Sequence, residues 1–308
     1  MKWTKKHIIS IKDFSSDEID FVLAKSRVME KKLSANKTGS LMKNRILANL
    51  FFEPSTRTRM SFEAAMKKLG GTTIGFDNPA ITSEVKGETI ADTVRIVEGY
   101  ADIIVIRHPV EGSSRLASES VKIPVINGGD GANQHPTQTL LDLYTIKKEF
   151  GGIDGLSLCI VGDLKYGRTV HSLINALENY DVKIRLVSPK ELRMPKEIIK
   201  KLVDKGIDVK ETERLNIRDS DVIYVTRIQR ERFPDPQEYE RVKNAYIINL
   251  SAIDGIRDNA IIMHPLPRVT EISHEIDKTK YAKYFEQARN GIPVRMTLLC
   301  LVSGVKFW

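Results

Sequence analysis

Residues 46–71 decide the fold, and they read ILANLFFEPSTRTRMSFEAAMKKLGG. The apolar run Ile46–Phe52 has the composition of a strand that is buried on both faces. Pro54 ends this strand, and a segment with apolar residues at helical spacing follows until Gly70 and Gly71 stop it. A buried strand followed at once by an amphipathic helix is the repeating unit of a parallel α/β sheet.

The same alternation recurs along the 308 residues, a length that suggests about two domains. The predicted strands are Ile46–Phe52, Ile103–Ile106, Val125–Ile126, Leu158–Val161, Lys183–Val187, Val222–Thr226, Tyr246–Leu250 and Ile261–Met263. The predicted helices are Asp17–Leu33, Met60–Leu69, Thr89–Tyr100, Arg115–Ser120, Thr137–Phe150, Thr169–Asn179, Pro195–Lys205 and Gln237–Lys243. The sequence therefore predicts an α/β fold with two doubly wound parallel-sheet domains and an active-site cleft between them.

Two features bear on the domain boundary. The glycine-rich segment 151–155 follows a long predicted helix and precedes a new strand, so composition places the boundary there. A final helix, about Pro293–Val305, carries apolar residues at helical spacing and could pack on either domain.

Composition excludes several classes of protein. Hydrophobic residues make up 41% and charged residues 29% of the chain, which argues against disorder, collagen and coiled coil. No run reaches the roughly 20 apolar residues of a membrane span, and no secretory signal is expected. Cys159 and Cys300 are too few for a disulfide framework or a zinc site, so a reducing cytoplasm is the expected compartment.

The formal net charge of +8 does not identify a partner. Nucleic acid, anionic small substrates and an ordinary solvated surface are all compatible with it. The basic residues form no long tract and no RNA- or DNA-binding motif is visible, so neither a nucleic acid nor a membrane is expected as a partner. The positions of individual arginines say more about the ligand than the net charge does.

A predicted anion site lies where the first strand gives way to its helix. Ser55, Thr56 and Thr58 fall at the helix N-terminus beside Arg57. Free backbone N–H groups, hydroxyls, the helix dipole and a guanidinium would converge there, which suits a phosphate. The alternative is an ordinary Ser/Thr cap with incidental arginines.

Two further strand ends in the first half carry polar side chains. Arg107 follows an apolar strand, and His135 and Gln138 follow a glycine-rich loop after which Pro136 opens a helix. Ligands of open α/β sheets bind at the carboxyl ends of strands, so these side chains are candidates to polarise a carbonyl or read an amide. Each has a plainer alternative, because a terminal arginine can reach water and a lone histidine can satisfy a loop carbonyl.

The second half carries similar strand ends. Gly162–Thr169 resembles a dinucleotide-binding turn only superficially, because the G-x-G-x-x-G spacing is missing. Arg168, at the start of the next helix, suits a carboxylate better. Arg227 and Gln229 alternate beyond another strand, so both could face one ligand. In His264–Arg268, two prolines around one leucine make a rigid loop whose carbonyls could be ligands.

Together these segments resemble the catalytic chains of the aspartate carbamoyltransferase family, and the match spans nearly the whole chain in family order. The matching segments are Phe52–Arg59, Arg107–Pro109, His135–Gln138, Gly162–Arg168, Thr226–Arg232 and His264–Arg268. The pieces that discriminate within the wider family are Gly162–Ser172 and His264–Arg268. An ornithine enzyme would be expected to carry Cys where Pro265 stands, together with a Ser-Met-Gly segment that this sequence lacks. The second substrate implied is a dicarboxylate, in agreement with Arg168 and Arg227.

The resemblance implies a reaction and its participants. The carbamoyl group of carbamoyl phosphate passes to the amine of L-aspartate, which gives N-carbamoyl-L-aspartate and phosphate in pyrimidine biosynthesis, with no cofactor and no metal. Residues 1–135 with 291–308 are implied to bind carbamoyl phosphate, and residues 136–290 to bind aspartate. A homotrimer with active sites shared between chains is implied, and a separate zinc-binding regulatory chain in a larger assembly is a potential partner.

The resemblance also implies a role for each site residue. The residues implied in catalysis are Thr58, Arg107, His135 and Lys86. Those implied to bind carbamoyl phosphate are Ser55, Thr56, Arg57, Thr58, Ser83, Lys86, Arg107, His135, Gln138, Leu266 and Pro267. Those implied to bind aspartate are Lys86, Arg168, Arg227, Gln229 and Leu266. Ion pairs of Glu53 with Arg168 and Arg232 are implied to stabilise the closed cleft.

Alternative functions differ in substrate or in class. Within the enzyme class, the acceptor could be ornithine or another amino acid. A two-domain solute-binding protein would share the cleft but would need an export signal. A nucleic-acid binder is favoured only by net charge.

Overall fold

The computed structural model describes residues 2–78, 82–228, 233 and 235–308. The chain divides into two compact units, one made of Met1–Tyr144 with Asn290–Trp308 and the other of Thr145–Arg289. Each unit contains one parallel β-sheet with helices, so the predicted class of two parallel-sheet α/β domains is confirmed. The glycine-rich segment 151–155 lies inside the second unit, and which substrate each unit binds stays a prediction.

The first unit is built on a parallel sheet whose described strands are β1 (Ile46–Phe51), β2 (Thr72–Phe76), β3 (Ile103–His108) and β4 (Val125–Asp130). They are ordered β2-β1-β3-β4. The helices are α1 (Ser16–Ser34), α2 (Thr56–Lys68), α3 (Ile90–Glu98), α4 (Ser113–Ser120) and most of α5 (Pro136–Phe150). A short 3-10 helix covers Ser83–Lys86.

The core of this unit explains the apolar runs in the sequence. β1 pairs with both β2 and β3, and its residues are almost entirely buried. Leu50, Ile104 and Ile106 share one apolar cluster with Val94 of α3 and Ala117 of α4. Burial of an apolar side chain of this size contributes about 1.5–3 kcal/mol to stability. A central parallel strand therefore requires apolar residues at successive positions rather than in alternation.

The second unit is built on a parallel sheet whose described strands are β5 (Ser157–Val161), β6 (Lys183–Val187), β7 (Asp208–Thr212), β8 (Val222–Val225) and β9 (Ile261–Met263). They are ordered β7-β6-β5-β8-β9. The helices are α6 (Arg168–Leu177), α7 (Lys196–Asp204), α8 (Pro236–Val242) and the first residues of α9 (Tyr284–Val302). Val161, Val225 and Ile262 belong to its main apolar cluster.

The sequence does not predict β2 and β7, which lie at the outer edges of the two sheets. Their side chains are mostly partly or fully exposed, with β2 reading TTIGF and β7 reading DVKET. An edge strand pairs with one neighbour through its backbone, so it needs no apolar run. The predicted strand Tyr246–Leu250 is wrong, because in the described part of the chain this segment contributes only an isolated bridge between Ile248 and Ile272.

The final helix begins well before its predicted start near Pro293. α9 starts at Tyr284 and contains Pro293 in its interior. Proline is favoured at the first position of a helix, which is why the sequence suggests a start there. The later part of α9 packs in the first unit, where the guanidinium carbon of Arg295 lies 5.1 Å from the ring centroid of Phe62. Neither α9 nor any other helix among the described residues is long and apolar enough to cross a membrane.

Gly162, directly after β5, occupies a position where a side chain would collide with backbone. Its φ is +121°, and an added Cβ would lie 2.2 Å from the carbonyl oxygen of Thr226. We expect Gly162→Ala to lower the free energy of unfolding by about 3 kcal/mol or more, as measured by chemical denaturation. Gly152→Ala is the control, because among the described atoms nothing lies within 4 Å of a Cβ added there. Equal losses in the two variants would contradict the steric explanation.

Candidate active site

Helix α2 begins without a side-chain cap. Ser55 occupies the N-cap position, but within the described residues its hydroxyl accepts no bond from the first turn. A serine at this position normally accepts such a bond. The first turn, which is described in full, contains no acidic residue, so its N–H groups and the positive end of the helix dipole are open to an anion. Thr56, Arg57 and Thr58 belong to this turn.

The two arginines near the start of α2 have different surroundings. Arg59 lies 3.1 Å from Glu63 and 2.9 Å from Asp77, so its charge is already balanced within the unit. The Arg57 side chain is exposed and, among the described residues, pairs with no carboxylate, and partial desolvation lowers the pKa of its guanidinium. The group still remains charged at neutral pH, because the ordinary pKa of arginine is about 12.5 or higher. Arg57 is therefore the better candidate to meet an anionic ligand.

Arg107 lies at the carboxyl end of β3, close to the loop that leads into α2. The N–H of Phe52 donates to the carbonyl oxygen of Arg107 at 2.8 Å, which fixes the two strand ends side by side. Arg107 is only 8% exposed. Its Nη1 donates to the carbonyl oxygen of Gly128 at 3.1 Å, and its Nη2 lies 3.2 Å from Oε2 of Glu53. These contacts hold a buried cation at the edge of the sheet where ligands are expected.

One buried carboxylate organises the loop after β4. Asp130 accepts through Oδ1 from the side-chain amide of Asn127 at 2.9 Å and from the N–H of Gln134 at 3.1 Å. Its Oδ2 accepts from the N–H of Gly112 at 3.0 Å. The loop leads directly to His135, which is 4% exposed and precedes the first residue of α5. His135 thus follows a loop that several hydrogen bonds hold in place, which would suit its predicted role of polarising a carbonyl.

The side chain of Gln138 is oriented by a buried aspartate on the same helix. Nε2 of Gln138 donates to Oδ1 of Asp142 at 2.8 Å, and Asp142 is fully buried. Because a carboxylate only accepts hydrogen bonds, the amide nitrogen faces Asp142 and leaves Oε1 as the atom suited to accept from a ligand.

Asp142 also affects the buried Arg295. Burial of Arg295 lowers the pKa of this guanidinium to about 10, while the negative charge of Asp142 acts to raise it.

In the second unit, the loop between β5 and α6 presents Arg168. Oδ1 of Asp163 accepts from the N–H groups of Lys165 at 3.2 Å and Tyr166 at 2.9 Å, so this carboxylate shapes the turn. Arg168 is the first residue of α6, and Gly167 is its N-cap. Arg168 therefore follows the loop at the carboxyl end of the central strand β5, where a carboxylate ligand would be expected.

Two neighbouring strand ends complete this part of the second unit. β8 pairs with β5 on one side and β9 on the other, so the residues after all three strands leave the same edge of the sheet. Arg227 follows β8 and is partly exposed. After β9, the peptide bond between Leu266 and Pro267 is cis, and Leu266 has a φ of 52°.

The remaining predicted site residues lie in the first unit, in the short 3-10 helix, or outside the described part of the chain. Glu53 contacts Arg107 within the first unit, and its role in closure stays a prediction. Ser83 and Lys86 lie in an exposed 3-10 segment. Gln229 and Arg232 lie outside the described residues. Within the described ranges, no group of three or more His, Cys, Asp or Glu side chains is arranged to hold a metal ion.

Two family profiles match successive parts of the chain. The family profile described as "Aspartate/ornithine carbamoyltransferase, carbamoyl-P binding domain" matches residues 6–148. The profile described as "Aspartate/ornithine carbamoyltransferase, Asp/Orn binding domain" matches residues 154–302. The chain belongs to the aspartate/ornithine carbamoyltransferase family. The resemblance noted in the sequence is thus confirmed.

Relatives of this carbamoyltransferase match over almost its full length. The aspartate carbamoyltransferase catalytic subunit of Thermococcus onnurineus is 57% identical over 309 residues, which cover 99% of each chain. The solved catalytic subunit of the Methanocaldococcus jannaschii aspartate transcarbamoylase has a TM-score of 0.90 at 54% identity and covers 97% of this chain and 99% of its own. An aspartate transcarbamoylase of Trypanosoma cruzi, solved with carbamoyl phosphate and aspartate, has a TM-score of 0.90 at 38% identity over 95% of each chain.

Sequence reasoning missed two buried charged groups, Asp142, which contacts the predicted site residue Gln138, and Arg295. Asp142 and Arg295 each interrupt an apolar stretch of a helix, TLLDLYTI in α5 and IPVRMTLLCLV in α9. A charged residue at a buried helical position is uncommon, so this interruption was an available signal. Glu271, which contacts His264, gave no comparable signal, because its loop has no periodic pattern.

Proposed function

We propose that this chain transfers the carbamoyl group of carbamoyl phosphate to the α-amine of L-aspartate, producing N-carbamoyl-L-aspartate and phosphate. The observation that carries the proposal is the buried Arg107 guanidinium at the carboxyl end of β3, next to the uncapped start of α2. A dianionic phosphate suits this combination of fixed cations and free N–H groups. The names of the relatives support the same reaction.

In the first unit, carbamoyl phosphate is held by its two ends. Ser55, Thr56 and Arg57 bind the phosphate, with Ser83 and Lys86 as further predicted ligands. Thr58, Arg107 and His135 surround the carbonyl oxygen, and Oε1 of Gln138 accepts from the carbamoyl amide. Donors aimed at this oxygen stabilise the negative charge that develops on it, and one such donor is worth roughly 3–4 kcal/mol.

In the second unit, aspartate is held by its two carboxylates. Arg168 binds the α-carboxylate, and Arg227 with Gln229 binds the side-chain carboxylate. The carbonyl oxygen of Leu266, next to Pro267, accepts a hydrogen bond from the α-amine. This contact directs the nitrogen lone pair, and correct orientation is a large part of the rate enhancement in a two-substrate reaction.

The chemical step involves no covalent bond between the enzyme and either substrate. The amine nitrogen attacks the carbonyl carbon, and a tetrahedral intermediate with an oxyanion forms. The bond between the carbonyl carbon and the phosphate oxygen then breaks, and phosphate leaves with that electron pair. The amine loses one proton to the departing phosphate or to Lys86.

The competing acceptor is ornithine, whose side chain ends in an ammonium group. Arg227 follows β8 at the edge where the acceptor is expected to bind, and a guanidinium there repels ammonium and attracts carboxylate. Phosphate release is therefore measured with carbamoyl phosphate and either L-aspartate or L-ornithine. We expect release that depends on aspartate, and release with ornithine alone would overturn the proposal.

We also propose a homotrimer whose sites are shared between chains. Exposed apolar side chains in the first unit support an interface, and Ile74, on the edge strand β2, is 43% exposed. A separate zinc-binding regulatory chain is a further predicted partner, and the cytoplasm is the proposed compartment. The free, buried thiols of Cys159 and Cys300 are compatible with a reducing environment.

Sharing of sites predicts that two inactive variants complement each other. Lys86→Ala and Arg57→Ala are each expected to be nearly inactive, because each lacks one part of every site. After dissociation, equal mixing and reassembly, about a quarter of the sites combine an intact Arg57 with a neighbour's intact Lys86. Activity near that fraction of wild type is expected in the reassembled mixture. No recovery, with mixed trimers verified by native mass spectrometry, would contradict a site built from two chains.

A further inference from the structure

The loop that follows β9 is held by two buried side chains that no predicted role accounts for. His264 is 2% exposed and Glu271 is 7% exposed. Nε2 of His264 lies 2.7 Å from Oε1 of Glu271, so the two side chains bridge the beginning and the end of the loop. The backbone N–H of His264 also donates to Oε1 of Gln287 on α9 at 2.9 Å.

The hydrogen bonds of this pair determine where the imidazole proton lies. The backbone N–H of Leu266 points at Nδ1 of His264, at a distance of 2.7 Å. A backbone N–H can only donate, so Nδ1 must be the acceptor and the proton must lie on Nε2. Nε2 then donates to Glu271, which can accept because it is a carboxylate.

Glu271 is fixed at its other oxygen. Oε2 accepts from the N–H groups of Val269 and Thr270, each at 3.1 Å. Burial alone would raise the pKa of Glu271, but the hydrogen bonds from His264 and from the backbone outweigh burial and lower it. The neighbouring Arg268 is occupied by Asp277 rather than by Glu271. Glu271 therefore remains an anion at neutral pH.

The residue that receives this support has an unusual backbone conformation. Leu266 has a φ of 52°, in the left-handed region, which costs a residue with a Cβ about 1–2 kcal/mol. Such a conformation persists only where the surroundings impose it, and it is typical of functional sites. Its N–H is anchored to His264, so the direction of its carbonyl group depends on that anchor.

We propose that His264 and Glu271 are positioning residues that aim the Leu266 carbonyl oxygen at the α-amine of aspartate. This inference rests on the proposed function, in which Leu266 binds that amine. Glu271 fixes the tautomer and the ring orientation of His264, and His264 fixes the backbone of Leu266. Neither side chain touches a substrate.

Two substitutions at position 264 separate the hydrogen bond to Leu266 from the one to Glu271. In His264→Asn, the side-chain oxygen can occupy the place of Nδ1 and accept from Leu266, but the bond to Glu271 is lost. In His264→Gln, the longer side chain reaches the place of Nε2 and Glu271, but a methylene group faces the Leu266 N–H. The variants therefore differ in which end of the chain of hydrogen bonds they preserve.

Steady-state kinetics with each substrate varied in turn give kcat/KM for aspartate and KM for carbamoyl phosphate in the two variants. We expect His264→Gln to lower kcat/KM for aspartate about 100-fold, the size of effect that a displacement near 1 Å produces. His264→Asn is expected to retain most of the wild-type value, and KM for carbamoyl phosphate should change little in either variant. Equal losses in the two variants, or equal losses for the two substrates, would overturn the inference and leave a purely structural role.

Glu271→Gln provides an independent test. The NH2 group of the glutamine must face either the backbone N–H groups of Val269 and Thr270 or the Nε2–H of His264. In both orientations, hydrogen-bond donors face each other and no acceptor lies between them. Moving the imidazole proton to Nδ1 relieves the second conflict but creates another with the Leu266 N–H. The same aspartate-specific loss is therefore expected. The control is Glu275→Gln, an exposed glutamate in the same unit, which removes the same charge and should keep wild-type kinetics.

The outcomes distinguish the inference from the proposed function. A wild-type chain that releases no phosphate with aspartate would overturn the proposed function itself. An active wild type with unaffected His264→Gln and Glu271→Gln variants would overturn only the positioning role. Circular dichroism melts establish that each variant is folded at the assay temperature. Should His264→Gln fail to fold, Glu271→Gln against Glu275→Gln decides the question.

Discussion

Arg57→Ala is expected to reduce turnover by about 1,000-fold or more while the protein stays folded. The exposed Arg57 guanidinium lies in the first turn of a helix that lacks a side-chain cap. Loss of one preorganised donor to the transition state typically costs 100- to 1,000-fold, roughly 3–4 kcal/mol, and a charged donor lies at the upper end. Phosphate release at saturating carbamoyl phosphate and aspartate measures this loss.

Arg59→Ala is the matched control for Arg57→Ala. Both residues lie in the same helix, but Arg59 already pairs with Glu63 and Asp77. Its removal is expected to cost at most about 1 kcal/mol of stability, since partly exposed ion pairs contribute little. Near-normal activity in a folded Arg57→Ala protein, or a comparable loss in Arg59→Ala, would refute the assignment of the phosphate site.

Arg227→Ala is expected to damage the use of aspartate far more than the binding of carbamoyl phosphate. A site built for a charged group is left with an unpaired carboxylate when its partner is removed, and about a 100-fold loss in kcat/KM for aspartate is expected. Varying each substrate in turn gives the two constants. The binding of carbamoyl phosphate, measured by calorimetry without aspartate, should stay near the wild-type value.

An arginine of the same unit serves as the control for Arg227. Arg193 pairs with Glu213 at 2.7 Å, and both side chains are nearly half exposed, so Arg193→Ala should leave both substrates unaffected. A uniform loss for both substrates in Arg227→Ala would argue against a specific role in aspartate recognition. An unchanged kcat/KM for aspartate would reject the assignment outright.

The sequence predicted those parts of the fold that depend on local composition. Apolar runs identified the central strands, because a parallel strand between two neighbours must be apolar on both faces. The edge strands β2 and β7 escaped prediction, because each is mostly exposed and therefore lacks a continuous apolar run. The start of α9 escaped because Pro293 suggests a first position that the structure does not use.

In the candidate site too, local sequence predicted some residues, while others depend on contacts between distant parts of the chain. Arg57, Arg107 and Arg168 were predicted because each lies at a helix start or a strand end that local sequence can recognise. Their supporting contacts join residues distant in sequence, such as Arg107 with Gly128. The pair His264 and Glu271 depends on the path of one irregular loop. Contacts of this kind arise from tertiary structure, and no periodic pattern reports them.

The missing cap on α2 also connects folding with metabolite concentration. Ser55 leaves the first turn of the helix incomplete, and a bound phosphate group would supply the acceptors that a capping side chain normally provides. A ligand that binds only the folded chain adds about 2.7 kcal/mol to stability when its concentration is 100 times Kd. The lifetime of this protein in a cell would then rise and fall with its own substrate, because the empty chain unfolds more readily than the occupied one.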